Sequence, residues 1–320
     1  MAISKFLNKM SSGNNRRSPQ TPVAVIMIRP HHFVPNPETQ SDNAFQIKQG
    51  DDQFDIASAA YTEVSKVIDV LQSHGVRVHA FEDQTSDTPD SVFPNNWFST
   101  HPGGQVAIYP MFAENRRKER RSDVIELLKR DYRVQDIVDY SGMEFDELFL
   151  EGTGAMVLDH IDRVAYAARS KRTDPVLLER FCTQFNYEPM VFDTGDENGT
   201  PVYHTNVLMC IATDLVLICL DMVKDQARRN ELINRFRETG REIIDLSLDQ
   251  IRNFAGNMLE LQGREGRVLT LSTSAYSSLS ADQIRVIENY LPLIPLTIPT
   301  IEMAGGSVRC MLAGVHLSPR

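Results

Sequence analysis

The chain has 320 residues, of which 42% are hydrophobic and 24% are charged, a balance typical of globular proteins and not of disordered or fibrous chains. Its formal net charge of −10 argues against a surface that follows the phosphates of a nucleic acid. The apolar stretches are shorter than the about 20 residues that a membrane-spanning helix needs. We therefore predict neither a nucleic-acid nor a membrane partner.

The first 37 residues hold five basic and no acidic side chains, and residues 1–21 are rich in Ser, Asn and Gly. We predict a disordered leader over residues 1–21 and a single domain over residues 22–320. A mitochondrial transit peptide is a weaker alternative for the leader, because its amphipathic stretch is short. The cysteines show neither a C-x-x-C pair nor the spacing of a disulfide framework, which predicts a reducing, cytoplasmic location.

Strand and helix patterns then alternate in a regular order along the chain. An apolar strand over residues 23–29 and a helix over residues 55–73 come first. Four β-hairpins follow, each with two apolar strands around a turn, and they span residues 96–109, 154–167, 206–219 and 257–271. Their second strands begin 58, 52 and 52 residues apart, which indicates an internal repeat.

A charged helix and a short strand follow the hairpins. Helical spacing predicts helices over residues 114–130, 171–186, 224–238 and 281–290, with apolar strands behind them, as at 187–192 and 241–245. The repeating unit is therefore ββαβ. A fifth unit can be assembled from both chain ends, with residues 306–315 joining the first strand and helix.

Five such units predict a five-bladed α/β propeller with pseudo-fivefold symmetry, because closing the ring buries every edge strand. The alternative is a doubly wound α/β sheet without symmetry, which does not explain the near-constant period of the hairpins. In the ring, the loops that begin the units meet at the central axis. The polar residues at these positions are Asn95, Asn96, Glu151, His204, Asn206, Asn257, Arg309 and Cys310.

This set of side chains suits attack by a thiolate on a trigonal carbon that carries nitrogen atoms. Cys310 is the predicted nucleophile, favoured as thiolate by a cation such as protonated His204. His204 is the predicted general acid and base, and Glu151 the carboxylate that binds substrate N–H groups. Simpler explanations are a packed core thiol at Cys310, and a strand-end pair made by His204 and Glu151.

The remaining candidates have ordinary explanations. Cys182, Cys210 and Cys219 lie in apolar or helical patterns and are predicted to be packing residues. The other histidines lack metal-ligand spacing, and no nucleotide-binding glycine motif is present, so we predict no metal and no cofactor. The basic run over residues 116–121 is interpreted as a solvated helix face and not as an anion site.

Five motifs resemble the guanidine-modifying (pentein; amidinotransferase/arginine deiminase) superfamily. They are MIRP at 27–30, FPNNWF at 93–98, LEGTG at 150–154, HTN at 204–206 and GGSVRCM at 305–311. The resemblance covers about residues 23–315 and is strongest to the citrulline-utilisation hydrolase branch. It implies a five-bladed α/β propeller, with Cys310 as nucleophile, His204 as acid and base, and Glu151 as substrate-binding carboxylate.

The motifs depart from the arginine deiminases in two places, where Asn96 and Asn206 stand instead of aspartates. Each charge-assisted bond to a buried guanidinium is worth about 1.5–3 kcal/mol, so losing two carboxylates disfavours arginine. A neutral ureido group needs no counter-charge, and an amide can donate to its oxygen. We therefore predict hydrolysis of citrulline to ornithine, ammonia and carbon dioxide through an S-carbamoyl enzyme.

The predicted partner is thus a small amino-acid substrate, bound by Asn95, Asn96, Asn206, Asn257 and Arg309. The sequence leaves open a homo-oligomer, an amine in place of water as acceptor, and which group holds the substrate carboxylate. Candidates for that group are Arg29, Arg252, Arg309 and the segment 36–46.

Three alternatives to citrulline hydrolysis remain. One is an arginine or N-substituted arginine deiminase or dihydrolase, or an amidinotransferase. Another is a non-catalytic binding protein of the same fold. The third is a cysteine amidase or protease, which the chain order Glu151, His204, Cys310 disfavours, because papain-like enzymes place the cysteine first.

Overall fold

The computed structural model describes residues 18–46 and 55–320. Within these ranges the strands are β1 (Ala24–Pro30), β2 (Val78–Asp83), β3 (Phe98–His101), β4 (Gln105–Ile108), β5 (Asp136–Asp139), β6 (Val157–Asp159), β7 (Val164–Ala168), β8 (Glu188–Phe192), β9 (Met209–Ile211), β10 (Leu215–Ile218), β11 (Glu242–Asp245), β12 (Leu259–Gln262), β13 (Arg267–Ser272), β14 (Leu293–Leu296) and β15 (Ala313–Val315). They form five three-stranded sheets in the orders β15-β1-β2, β3-β4-β5, β6-β7-β8, β9-β10-β11 and β12-β13-β14.

All five sheets have the same topology. The central strand pairs antiparallel with one neighbour, which we call the inner strand, and parallel with the other. In the fourth sheet, for example, Val216 of β10 lies opposite Ile211 of the inner strand β9 and Ile243 of β11. The four predicted hairpins are present, and the fifth sheet unit is assembled from the two chain ends as predicted.

The helices are α1 (Ile56–Ser73), α2 (Ser122–Asp131), α3 (Gly152–Ala155), α4 (Pro175–Phe185), α5 (Thr205–Leu208), α6 (Gln226–Glu238), α7 (Leu248–Arg252), α8 (Thr273–Ser278), α9 (Ala281–Glu288), α10 (Pro299–Glu302) and α11 (Val308–Met311). Helices α1, α2, α4, α6 and the pair α8 and α9 connect the parallel strands, as a parallel pair requires. Short helices or turns precede the inner strands, and these carry the predicted site residues.

Local chemistry explains where the connecting helices begin. The side chains of Asp55, Asp174 and Asp225 accept hydrogen bonds from the first free backbone N–H groups of α1, α4 and α6. Ser280 and Gln283 form a capping box at the start of α9. The helices that the aspartates cap begin at residues 56, 175 and 226, slightly after the predicted starts at 55, 171 and 224, and α9 begins at residue 281 as predicted. The helix predicted over 114–130 is instead a 3₁₀ turn, Asn115–Glu119, followed by α2.

The beginning of the described chain differs from the prediction of a leader that ends at residue 21. Ser18, Gln20 and Thr21 are buried. The Gln20 amide donates to Leu158 O and Ile211 O over 3.0 and 3.1 Å and accepts from His160 N over 2.9 Å. These bonds join the ends of inner strands from two sheets, so residues 18–21 are part of the domain. Residues 1–17 of the predicted leader lie outside the described residues.

No helix in the two described ranges is long and apolar enough to cross a membrane.

We predict that Gln20→Leu lowers the free energy of unfolding by about 1–3 kcal/mol, because it leaves buried backbone groups of two sheets without partners. Urea unfolding of the full chain measures this change. Gln72 lies exposed on α1, and Gln72→Leu is the matched control, for which we expect a change within about 0.5 kcal/mol. Equal stability of the two variants would contradict a role of Gln20 in joining the sheets.

Candidate active site

Three of the predicted side chains that precede inner strands, Asn96, His204 and Cys310, line one cavity. Cys310 and His204 both line it, together with Asn43, Asp90, Phe93, Asn96, Arg116, Arg172, Tyr203, Ala304 and Gly306. Cys310 and His204 are each only 2% exposed. Gly306 is required for this close packing, because a Cβ atom there would lie 2.7 Å from the Phe93 ring. The structure thus brings the predicted nucleophile and the predicted acid–base group to the same space.

The Cys310 sulfur receives two amide hydrogen bonds. Asn206 Nδ2 lies 3.3 Å and Asn257 Nδ2 3.4 Å from Sγ. Asn257 is itself held in place, since it donates to Asn206 O over 2.8 Å and accepts from Arg309 N over 3.0 Å. N–H donors aimed at a sulfur stabilise negative charge on it. The amides therefore do part of what the sequence assigned to a protonated histidine.

His204 is paired with the buried carboxylate of Glu151. Nε2 of His204 lies 2.7 Å from Oε2 of Glu151, and both side chains are buried. Burial lowers the pKa of His204 to about 4, although the hydrogen bond to Glu151 opposes the shift. The imidazole is therefore neutral near pH 7. Because the carboxylate only accepts hydrogen bonds, the proton sits on Nε2, and Nδ1 is the basic atom.

Glu151 stays ionised despite its burial. Desolvation raises its pKa, but Arg172, His204 and Arg116 together outweigh it and hold the pKa well below the usual range. Its Oε2 lies 3.5 Å from Arg172 Nη1 and 3.6 Å from Arg116 Nη1, while Oε1 accepts from Phe112 N over 2.9 Å. Glu151 is not among the residues that line the cavity. In this structure Glu151 orients His204 through its hydrogen bond to Nε2, and its contact with substrate N–H groups stays a prediction.

Arg116 corrects the interpretation of residues 116–121 as a solvated helix face. Its side chain is 2% exposed, and Nε and Nη2 bind both oxygens of Glu119 over 2.9 and 3.0 Å. Nη1 donates to Asn96 Oδ1 over 3.0 Å. Because a guanidinium has only donors, this contact fixes which way the Asn96 amide points. Asn96 Nδ2 is left buried, with no hydrogen-bond partner among the described residues.

Arg172 is the second guanidinium of the cavity. It binds both oxygens of Asp42 over 2.9 and 2.7 Å and lies 5.0 Å from the centre of the Tyr203 ring. Asp42 belongs to the segment 36–46, which also reaches the cavity through Asn43, whose Nδ2 donates to Ala304 O over 3.0 Å. This segment was one of the candidates for the substrate's amino-acid end.

The other residues predicted to hold the amino-acid end of the substrate do not line the cavity. Arg29 pairs with Glu82, and Arg252 pairs with Glu197 and Asp249. The Arg309 side chain donates to Leu312 O over 3.2 Å and does not line the cavity, so only its backbone N–H supports the site.

Asn95 does not reach the cavity either. Its Nδ2 lies 3.3 Å from Thr153 Oγ1. The contacts of the Asn95 and Arg309 side chains with substrate stay a prediction, and neither side chain is among those that line the cavity.

The remaining thiols are packing residues, as the sequence indicated. Burial raises the pKa of Cys182 and of Cys210 to about 12, and that of Cys219 to about 11. Within residues 18–46 and 55–320, no group of three or more His, Cys, Asp or Glu side chains is arranged to hold a metal ion.

Sequence reasoning missed Asp90, Arg116, Arg172 and Tyr203. Arg116 lies in the basic run, whose spacing matches that of an exposed helix. Arg172 and Asp90 lie in turns that carry no motif. Tyr203 adjoins His204, and this adjacency was the one available signal.

We predict that His204 does not titrate between about pH 7.5 and about pH 5, whereas an unperturbed histidine titrates near 6.5. Protonating it requires a buried cation, which desolvation disfavours. The measurement is the imidazole ¹⁵N shift in histidine-labelled protein, assigned by the signal lost in His204→Gln. A midpoint near 6.5 for this signal would contradict the assignment of a neutral base.

Comparisons with known proteins agree with this geometry. A sequence model of the family described as "N,N dimethylarginine dimethylhydrolase, eukaryotic" matches residues 29–317. A comparison with curated protein sequences finds no match.

Three solved structures share the fold. The N-terminal domain of ArgZ, an arginine dihydrolase from the ornithine-ammonia cycle in cyanobacteria, has a TM-score of 0.69 at 16% identity, covering 91% of this chain and 97% of that domain. Unliganded AgrE has a TM-score of 0.68 at 18% identity, covering 93% of this chain and 40% of that one. The adduct of a dimethylarginine dimethylaminohydrolase variant with S-methyl-L-thiocitrulline has a TM-score of 0.61 at 15% identity, covering 92% of this chain and 100% of that one.

This chain spans about two fifths of full-length ArgZ and AgrE, since it covers 41% and 40% of them. At such low identities these similarities show a common α/β fold. The family match extends over most of the chain and confirms the predicted superfamily. The protein belongs to the N,N-dimethylarginine dimethylhydrolase family of the pentein superfamily.

Proposed function

We propose that the protein hydrolyses the ureido carbon of citrulline, giving ornithine, ammonia and carbon dioxide. The observation that carries this proposal is the orientation of Asn96. Its Oδ1 is occupied by Arg116, so the group left for a substrate is the Nδ2 donor. A ureido oxygen accepts hydrogen bonds, whereas a guanidinium offers only donors and meets Nδ2 without a complementary atom.

Asn206 supplies a hydrogen-bond acceptor close to the Cys310 sulfur. Its Nδ2 points at Cys310 Sγ, and its Oδ1 is buried without a hydrogen-bond partner among the described residues. That oxygen can accept an N–H of the carbon under attack. One free donor on Asn96 and one free acceptor on Asn206 match the C=O and N–H groups of a urea.

The proposed reaction uses three side chains. His204 Nδ1 takes the Cys310 proton, Sγ attacks the ureido carbon, and the protonated imidazole gives that proton to the departing nitrogen. If ammonia departs, the S-carbamoyl enzyme carries the ornithine nitrogen. Water then adds to this carbon, Sγ leaves and regains its proton, and the released carbamate divides into ornithine and carbon dioxide. Glu151 stabilises the imidazolium between these steps.

The cavity also contains charges for the amino-acid end of the substrate. Arg116 and Arg172 line it, and these two guanidinium groups, which also pair with Glu119 and Asp42, are the cations proposed for an α-carboxylate. Asp90 lines it as well, and its Oδ1 is buried without a hydrogen-bond partner in the described ranges, which suits an α-ammonium group. We propose these three side chains in place of the Arg309 side chain.

We further propose that the five sheets close into the ring of a five-bladed propeller. Inner strands of neighbouring sheets are in contact, namely β15 with β3, β6 with β9 and β9 with β12. This arrangement brings residues from different units to one cavity, as the shared lining shows for Asn96, His204 and Cys310.

The second candidate function is that of an arginine dihydrolase. It is supported by the similarity to the N-terminal domain of ArgZ along 97% of that domain, and by the carboxylates of Asp90 and Glu151 around the cavity. A dihydrolase removes one nitrogen from arginine and then hydrolyses the resulting citrulline. Ornithine is the product in both proposals, and turnover of arginine distinguishes them.

We predict that the protein releases ammonia from citrulline much faster than from arginine at equal concentration, with ornithine identified by mass. Cys310→Ala and His204→Ala should each lose at least about 10³-fold in kcat while remaining folded by circular dichroism, because each removes a group that forms or breaks bonds. Ornithine from both substrates would select the dihydrolase, and ordinary turnover by either variant would overturn the catalytic assignment.

The proposed role of Asn96 in selecting a ureido oxygen can be tested separately. Asn96→Asp replaces the free donor by an acceptor, so the ratio of kcat/KM for citrulline to that for arginine should fall by about 10- to 100-fold, the equivalent of one charge-assisted bond. A ratio of two substrates does not depend on how much enzyme is folded. An unchanged ratio would show that Asn96 does not select the ureido oxygen.

A further inference from the structure

A second cavity, of about 460 Å³, lies beside the catalytic one. This volume is within the range of small-molecule sites, which are about 300–1,000 Å³. The described residues that line the two cavities are all different. Two aromatic rings stand between them, since Phe45 of the second cavity packs edge-on against Tyr203 of the catalytic cavity with ring centres 6.0 Å apart.

The wall of this second cavity is mainly apolar. Its apolar side chains include Phe45, Val202, Met222, Leu248, Ile251 and Phe254. Phe254 has a left-handed backbone with φ of 61°, which is strained for a residue with a Cβ atom. Its ring lies 5.6 Å from that of Phe45, and this packing helps to hold the strained turn.

The charges around the second cavity are predominantly negative. Asp196 and Glu302 line it, and neither forms an ion pair with any described residue. The cation at its edge, Arg252, is already paired with Glu197 and Asp249. Glu302 is 7% exposed and accepts one hydroxyl bond at each carboxylate oxygen. A buried carboxylate in an apolar cavity favours a ligand that brings a positive charge and an apolar body.

Three segments that line the second cavity lead directly to the catalytic groups. Val202 is two residues before His204. Phe254 O accepts from Asn257 N over 2.8 Å, and Asn257 donates to Cys310 Sγ.

The third segment runs through Glu302. Its Oε1 accepts from Ser307 Oγ over 2.8 Å, and Ser307 O accepts from Cys310 N over 3.0 Å. A molecule bound against Phe254 and Glu302 therefore contacts residues whose hydrogen-bond partners, Asn257 and Ser307, bind Cys310, and it does so without entering the catalytic cavity.

We propose that this second cavity binds a small organic cation with an apolar body, of the alkylammonium class, and that its occupancy changes the reactivity of Cys310. Binding is independent of the proposed function. The effect on Cys310 rests on that residue being the nucleophile, and it is measured as thiol reactivity so that the result does not depend on which substrate is turned over.

Binding is tested by calorimetry on the full chain carrying Cys310→Ala, with n-hexylamine as probe and 1-hexanol as its neutral match. Hexylamine should bind at least 10-fold more tightly than hexanol. Leu248→Trp, which fills the second cavity, and Glu302→Gln, which removes its charge, should each weaken hexylamine binding at least 10-fold. Leu127→Trp on α2 is the matched control for the added indole and should bind as the parent does.

Reactivity is tested with the native thiol. Saturating hexylamine should change the rate of Cys310 alkylation by iodoacetamide at least two-fold, measured by mass spectrometry, and this change should be absent in Leu248→Trp. Displacement of hexylamine by citrulline would place the amine in the catalytic cavity and overturn the proposal. Equal binding of hexylamine and hexanol, equal binding by Leu248→Trp and Leu127→Trp, or an alkylation rate indifferent to hexylamine would also overturn it.

Discussion

The buried carboxylate of Glu151 is the constraint on which the site depends. An ionised carboxylate without exposure to water is costly unless cations and donors surround it, and here two guanidinium groups and an imidazole do so. Each guanidinium in turn needs its own partner, which is Asp42 for Arg172 and Glu119 for Arg116. The result is a series of alternating negative and positive side chains that brings distant parts of the sequence together around Glu151.

This network also explains why His204, the proposed base, is neutral. The carboxylate orients the imidazole through Nε2, yet the two arginines and the burial disfavour a second proton. A neutral imidazole beside a sulfur that receives two amide bonds is suited to take a proton when substrate binds and to return it to the leaving nitrogen. The Coulombic attraction of a permanent thiolate–imidazolium pair is not needed in this arrangement.

The repeated topology places one turn before each inner strand, and the side chains on these turns can differ from unit to unit. Each inner strand is preceded by a short helix or turn, and these carry asparagine, glutamate, histidine or cysteine side chains. Close approach of these turns demands small residues. A Cβ atom at Gly154 would lie 2.2 Å from Asn96 Nδ2 and 2.8 Å from His204 Nδ1, so this glycine leaves the space in which donor and base stand near each other. In the proposed function, the orientation of the Asn96 amide selects between a ureido and a guanidino carbon.

The sequence by itself determined the elements and the chemical inventory. Hairpin turns, helix caps and apolar strands are local patterns, and their recurrence at a near-constant period predicted the five similar sheets and the residues that precede them. It also predicted that Cys310 and His204 share a site, because both occupy the same position in the repeat.

The tertiary structure decided the orientation and burial of charged side chains. Arg172 pairs with a residue 130 positions away, and no local pattern encodes such a contact. The same reason explains Arg116, which its sequence neighbours suggested would be solvated and which is instead buried against Glu119 and Asn96. It also explains the direction of the Arg309 side chain, which donates to Leu312 O. Desolvation of a charge depends on everything that surrounds it in space, and only the folded chain brings those groups together.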